Sequence, residues 1–227
     1  ICDSSGPLAR LGDVEEEHGG VSNFGYQVID EMNRVGMMVD ISHVSIKCMM
    51  QATKYSKAPV IASHSGVWEL AKHSRNLNDE QLMAIGAAGG VVQIVGLNSF
   101  VKFYPDKGSE ISIIRNAAAL AAGDKEWDSS KHNSDPIYIA AMDIIDKKYP
   151  AATVKDFVDH IDYAVNLIGV EHVGIVSDFD GGGGIEGWND ASETMNVTAE
   201  LISRGYSEED ISKIWSENTI ALWRRVD

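Results

Sequence analysis

Cysteine is almost missing: the 227 residues hold two, Cys2 and Cys48, too few for a disulfide framework or a four-sulfur zinc site. Both read as free thiols, which leaves the redox compartment undecided. Positive charge is short as well. Nineteen Lys and Arg stand against 34 Asp and Glu, a formal net charge of −15 at pH 7, whereas a phosphate backbone or an anionic membrane surface is bound by clustered Lys and Arg. Nucleic acid is therefore disfavoured as a partner. No apolar run approaches the roughly 18 residues of a membrane span. The opening Ile-Cys-Asp-Ser-Ser-Gly-Pro has neither the basic nor the apolar segment of a signal peptide. Gly181 to Gly184 are not followed by Lys-Ser or Lys-Thr, and the next charges are acidic, so they do not read as a phosphate cradle. What remains is a chain with 44% hydrophobic residues, enough for one well-cored domain.

The most informative stretch is GMMVDISHVSIKCMMQATKYSKAPVIASHSGVWELAKHSR, residues 36–75. It holds two short apolar runs, 37–41 and 59–62, and each ends in Ser-His: Ser42-His43 and Ser63-His64. Both runs have strand length, and Val39, Ile41, Val60 and Ile61 are strand formers. Between them, 45–56 has helical length, with Ile46, Met49, Met50 and Thr53 on one side. Strand, helix, strand is a parallel crossover. The two histidines, 21 positions apart, then sit at the carboxyl ends of neighbouring parallel strands, where such sheets place their chemistry. Two neutral imidazoles converging there suit zinc; the alternative is that each histidine merely closes a strand and caps the next helix.

Asn23 to Val35 reads as an amphipathic helix stopped by Gly36. A short helical segment is expected around Trp68, Leu70 and His73, with His73 at the surface. Arg75 either grips a substrate carboxylate or pairs with Asp79 or Glu80, and spacing alone favours the pairing. Asn78 with Gln81 suits a capping box, as does Thr153 with Asp156 ahead of the stripe Val154, Phe157, Val158, Ile161, Val165 and Ile168. His160 lies off that stripe. Residues 90–96 read as a third strand and 172–177 as a fourth, which delivers Asp178. That carboxylate is either a turn or cap contact or a general base beside the histidines, and it terminates its strand directly, as Asp180 does not. Residues 99–152 read as an excursion with helices at 111–122 and 137–148, a lid or subunit contact, and with His132 exposed in its polar turn. His18 is rejected as a ligand because no strand precedes it. Asn196-Val-Thr198 matches a glycosylation signal but lies inside a helical pattern.

The blocks VDISHVS at 39–45, APVIASHS at 58–65, RNLNDEQL at 75–82 and HVGIVSDFDG at 172–181, with their spacings, resemble the membrane (renal-type) dipeptidases, zinc metallopeptidases of the amidohydrolase-like barrel superfamily. The resemblance covers nearly the whole chain apart from an insertion at about 99–152. It implies an α/β, (β/α)8 TIM-like metal-dependent hydrolase barrel of which residues 1–227 hold about the C-terminal four βα units. It implies His43 and His64 as metal ligands, Arg75 as the substrate-binding arginine and Asp178 as the catalytic and substrate-facing carboxylate. The implied activity is zinc-dependent hydrolysis of dipeptides by a metal-bound hydroxide, with two zinc ions in a complete site, one of them partly liganded by this chain. The family's upstream His-x-Asp pair, bridging carboxylate and further substrate-binding His find no match here. The expected partners are thus a dipeptide, the missing N-terminal half of the barrel, and a second copy in a homodimer. A half-barrel is also expected to expose two unpaired parallel strand edges and much apolar surface. A catalytically incomplete remnant acting as a peptide- or metal-binding or assembly module, and another metal-dependent amidohydrolase, are the alternatives. The resemblance alone points to the bacterial periplasm or envelope.

Overall fold

Side chains cap the N-termini of most of the α-helices. The structure is a computed structural model that describes residues 17–226; the readings for Cys2 and for the loop before residue 17 lie outside them. The elements are α1 (Asn23–Val35), α2 (Ile46–Tyr55), β1 (Ile61–Ser65), α3 (Asp79–Ala87), β2 (Val91–Val95), α4 (Asn98–Val101), α5 (Lys107–Ala121), α6 (Ser129–His132), α7 (Pro136–Lys148), α8 (Val154–Ile168), β3 (Val173–Val176), α9 (Thr194–Ser203), α10 (Glu208–Ser212) and α11 (Asn218–Val226). Ser22 Oγ accepts from Gly25 N at 3.0 Å to open α1, and Gly36, at φ 72°, ends it in the left-handed conformation a helix stop requires. Asn78 with Gln81 and Thr153 with Asp156 form the two reciprocal capping boxes expected for α3 and α8. Each such cap contributes about 1 kcal/mol.

The result is an α/β fold built on a parallel three-stranded sheet in the order β1-β2-β3. The first expected strand shortens to a parallel bridge, Asp40 to Ile61, with Ile41 N to Ile61 O at 2.9 Å and Ile61 N to Val39 O at 3.0 Å. It cannot lengthen past Ile41 because the Asp40 carboxylate turns back to accept from Ser42 N at 3.1 Å, bending the chain out of the ladder. Side-chain alternation along the strands then divides the core. Val60, Ala62, Val92, Ile94, Val173 and Ile175 face a large cluster that includes Met49, Leu82, Phe157 and Ile161. Ile61 and Val91 face Leu222 and Val226 of α11. Both faces are therefore covered, as a parallel sheet requires. Ile61 is 5% exposed and Val91 0%. Phe157, Val158 and Ile161 are fully buried on α8, each contributing about 1.5–3 kcal/mol.

Two compact units divide the chain: one runs to Lys102 and resumes at Ala152, the other is Phe103–Ala151. The second is helical, with α5 packed on α7 and Glu110 accepting from Lys148 Nζ at 2.6 Å and Tyr149 OH at 2.8 Å. Within it His132 is buried, contrary to the expected exposure. Its Nδ1 accepts from Asp128 N at 3.0 Å, its Nε2 meets Asp124 at 2.9 Å, and its ring lies 5.0 Å from that of Trp127. The short α6 curls the polar turn over the imidazole. In the first unit the helix expected around Trp68 to His73 is replaced by turns. Buried Asn76 causes this by accepting from Gly66 N at 2.9 Å and donating to the carbonyls of Ala71 and Phe100 at 2.8 and 2.7 Å. His73, expected at the surface, is half-buried with its ring 4.3 Å from that of Phe100. Cys48 is buried, and among the described residues no helix is long and apolar enough to cross a membrane.

His160 also differs from its reading, being 1% exposed. Its Nδ1 accepts from Val67 N at 2.9 Å and its Nε2–H donates to Val101 O at 3.0 Å. The neutral ring satisfies both partners, so burial lowers its pKa below the ordinary imidazole value. The unfolded chain then takes up this proton first as pH falls. Stability is full above about pH 6.5 and declines below it. Urea unfolding at stepped pH checks this: the wild type should lose stability between about pH 6.5 and 5, and His160→Gln should flatten that slope while starting about 1–3 kcal/mol lower at pH 8.

Candidate metal-binding and catalytic site

The parallel register brings the two Ser-His pairs to one end of the sheet. His43 lies in the turn after the Asp40 bridge and His64 lies in β1, and their Nε2 atoms face each other at 2.7 Å. Ser42 fastens the pair, its Oγ accepting from His64 N at 3.0 Å and its carbonyl from Arg75 Nε at 3.0 Å. Arg75 arrives on the Asn76-organised loop after β1. Its Nη2 donates to His64 Nε2 at 3.2 Å and its guanidinium lies 5.4 Å from the Phe100 ring centre. The pairing with Asp79 or Glu80 does not form; Asp79 accepts from Tyr163 OH at 2.8 Å instead. Among the described residues no ion pair satisfies Arg75, and a half-buried guanidinium in that state attracts a carboxylate from solution.

Asp178 follows β3 at φ 56°, the one non-glycine residue with positive φ among the described residues. Its backbone is held by the glycines beyond it, Gly181 N and Gly183 N donating to Asp178 O at 2.9 and 2.7 Å. A Cβ on Gly183 would run into the Ser177 carbonyl oxygen, so the Gly-rich run serves a close approach of the backbone. Asp178 acts electrostatically on both His43 and Arg75, whereas Asp180 is exposed. The pKa of His43 lies below its ordinary value through partial burial first and then the charge of Arg75 and the adjacent His64; Asp40 and Asp178 oppose this. Burial likewise lowers Arg75, against the pull of the same two carboxylates, and an arginine remains charged regardless.

All four residues singled out from the sequence, His43, His64, Arg75 and Asp178, are thus assembled at one end of the sheet. Asp40 and Ser63 were missed. Asp40 Oδ1 accepts from Ser42 N and Ser63 N at 3.1 and 3.2 Å, and Oδ2 from Ser63 Oγ at 2.6 Å. The available signal was a carboxylate inside the apolar run Val39-Asp40-Ile41, where an unpartnered charge would be costly. His18, rejected as a ligand, lies 4.0 Å from Glu17. As a metal donor set, two facing imidazole nitrogens fit zinc in kind. They make up part of a set, since among the described residues no three His, Cys, Asp or Glu cluster as ligands.

Comparison with known proteins agrees over nearly the whole chain. The model of the membrane dipeptidase family, Peptidase family M19, matches residues 4–227. Dipeptidase tcpJ of Claviceps purpurea is 34% identical over 211 residues, 92% of this chain and 39% of that protein. Dipeptidase aclJ of Aspergillus oryzae is 32% identical, with 92% and 39% covered. The chain therefore spans about two fifths of the length of these curated relatives. The probable dipeptidase PvdM from Pseudomonas aeruginosa superposes with a TM-score of 0.78 at 36% identity, over 99% of this chain and 59% of that one. A metallo peptidase from Rhodobacter sphaeroides shares the fold at a TM-score of 0.69 and 24% identity, over 92% and 48%.

Gly183→Ala should lower the thermal midpoint, at a cost of about 1–3 kcal/mol for the overpacked Cβ, and should move the Asp178 amide resonance. An unchanged midpoint and spectrum would mean that the close approach at Ser177 does not hold this turn.

Proposed function

The chain belongs to the membrane dipeptidase family, Peptidase family M19, and from that premise we propose that it forms one side of the active site of a zinc dipeptidase. The parallel sheet is then part of a (β/α)8 barrel, with the remaining strands and metal ligands supplied from outside this chain. The convergence of His43, His64 and Arg75, with Nε2 atoms 2.7 Å apart and the guanidinium 3.2 Å from His64, is the observation that carries the reading. His43 and His64 would hold one zinc of a two-metal site, and the second would rest on residues beyond this chain. Bound zinc supplies a Lewis acid that acidifies water and polarises a carbonyl.

The chain's own residues account for the rest of the chemistry. Arg75, half-buried and without a carboxylate partner among the described residues, binds the free carboxylate of a dipeptide. That fixes the scissile amide beside the histidines. Asp178 accepts a proton from the attacking water on its carboxylate and delivers it to the leaving amine nitrogen as the C–N bond breaks. The positive φ of Asp178 fits this role, because strained backbone at a strand end aims a side chain where an extended residue would not. Recognition of the free carboxylate by one arginine near the metal limits substrates to short peptides.

Hydrolysis of free dipeptides by the whole protein with zinc present tests the proposal. Asp178→Asn should lower kcat by about 10²–10⁴-fold with zinc content unchanged by elemental analysis. His43→Ala and His64→Ala should lose zinc and activity together. Arg75→Lys should raise KM by about tenfold or more, since the bidentate grip is lost. Tripeptides and C-terminally blocked dipeptides should be poor substrates. Full activity in Asp178→Asn would remove the proton-transfer role, and indifference to the free carboxylate would defeat the dipeptidase assignment.

A further inference from the structure

The Ser63 hydroxyl lies between a carboxylate and a candidate metal ligand, 2.6 Å from Asp40 Oδ2 and 2.8 Å from His64 Nδ1. A carboxylate is an acceptor only, and Asp40 already takes the Ser42 and Ser63 N–H groups on Oδ1. The single hydroxyl proton of Ser63 therefore points to Oδ2, and its lone pair accepts from His64 Nδ1–H. With the ring proton on Nδ1, Nε2 is left unprotonated. Arg75 Nη2, which can only donate, lies 3.2 Å from His64 Nε2 and requires the same assignment. The 2.7 Å contact with His43 Nε2 is compatible with it, His43 then being the donor. From this geometry we infer that Asp40 and Ser63 form a positioning relay that fixes His64 as the Nδ1–H tautomer, so that Nε2 is presented to a divalent cation.

Neither Asp40 nor Ser63 need touch the cation or the substrate; both act through His64. The relay is separable from the clasp that Asp40 makes on two strand ends. That clasp uses backbone N–H groups on Oδ1 and does not involve the Ser63 hydroxyl. The hydroxyl contact is the part that sets the tautomer, since the hydrogen bond made by one imidazole nitrogen decides the state of the other. The inference rests on the dipeptidase reading only for what the cation is used for; the tautomer belongs to the chain itself.

Long-range ¹H–¹⁵N correlation spectra of His64 in the metal-free full chain test it, with zinc affinity measured by chelator competition. Wild type should show His64 protonated on Nδ1. Ser63→Ala should shift the ring toward Nε2–H and weaken zinc binding by about 10–100-fold, with the Ser42 amide signal in place. Ser63→Thr, which keeps the hydroxyl, should restore both. An Nε2–H ring in wild type overturns the relay, as does a Ser63→Ala protein with unchanged tautomer and affinity. If the alanine variant fails to fold, the wild-type and threonine tautomers decide the matter alone. Loss of the dipeptidase reading would look different: an Nδ1–H ring and normal zinc response, with no hydrolysis of dipeptides by the whole protein.

Discussion

One carboxylate holds the site together. Asp40 accepts three hydrogen bonds, from Ser42 N, Ser63 N and Ser63 Oγ, and these join two strand ends 23 positions apart in the chain. Charge-assisted bonds of this kind are roughly twice as strong as neutral ones, and each carries a specific geometric consequence. The bond to Ser42 bends the chain after Ile41 and turns His43 toward its partner. The bonds to Ser63 fix the end of β1 and therefore the His64 backbone. Ser42 extends the same linkage by receiving His64 N and Arg75 Nε. Five residues from three segments, Asp40, Ser42, Ser63, His64 and Arg75, thus share one polar frame at the carboxyl end of the sheet, where parallel architectures leave room for ligands.

A chain of net charge −15 places a half-buried guanidinium at this frame. The two carboxylates that act on Arg75, Asp40 and Asp178, are also the two that act on His43. Asp40 is occupied by its own hydrogen bonds, so its charge is largely taken up by backbone and serine donors. Asp178 is half-buried and lies in a turn secured through its backbone carbonyl. Among the described residues the arrangement leaves cationic and anionic groups near two imidazoles whose ring nitrogens have no carboxylate partner. Under the function proposed above, that combination suits a substrate carrying its own carboxylate.

The sheet that carries the site is covered by apolar side chains on both sides. The large core beneath α2, α3 and α8 is joined by a smaller one under α11, where Leu222 and Val226 meet Ile61 and Val91. Most of the large apolar side chains that remain exposed, among them Phe24, Met83, Ile113, Leu120, Ile137, Met195 and Trp223, lie on helices, while Met37, Leu70 and Phe103 do not. The helical unit Phe103–Ala151 is held by its own contacts, chiefly Glu110 with Lys148 and Tyr149 and the buried His132 with Asp124.

Much of this was legible in the residue order, because the relevant physics is local. Ser22, Ser45, Asn78 and Thr153 cap helices three residues away, Gly36 stops one through its own φ, and the apolar period buries Phe157, Val158 and Ile161. The repeat of a short apolar run ending in Ser-His likewise placed His43 and His64 at strand ends. What the order of residues could not supply depends on atoms distant in the chain. His160 is buried because Val67, 93 positions away, donates to it, and the turns around Trp68 exist because Asn76 reaches Phe100 across 24. The first strand shrinks to a bridge, and Ser63 becomes part of the site, through the second half of one hydrogen-bonding network on Asp40. Capping and periodicity are properties of neighbours and so are written in the sequence; satisfaction of buried polar groups is a property of the folded whole, and only the tertiary structure decided it.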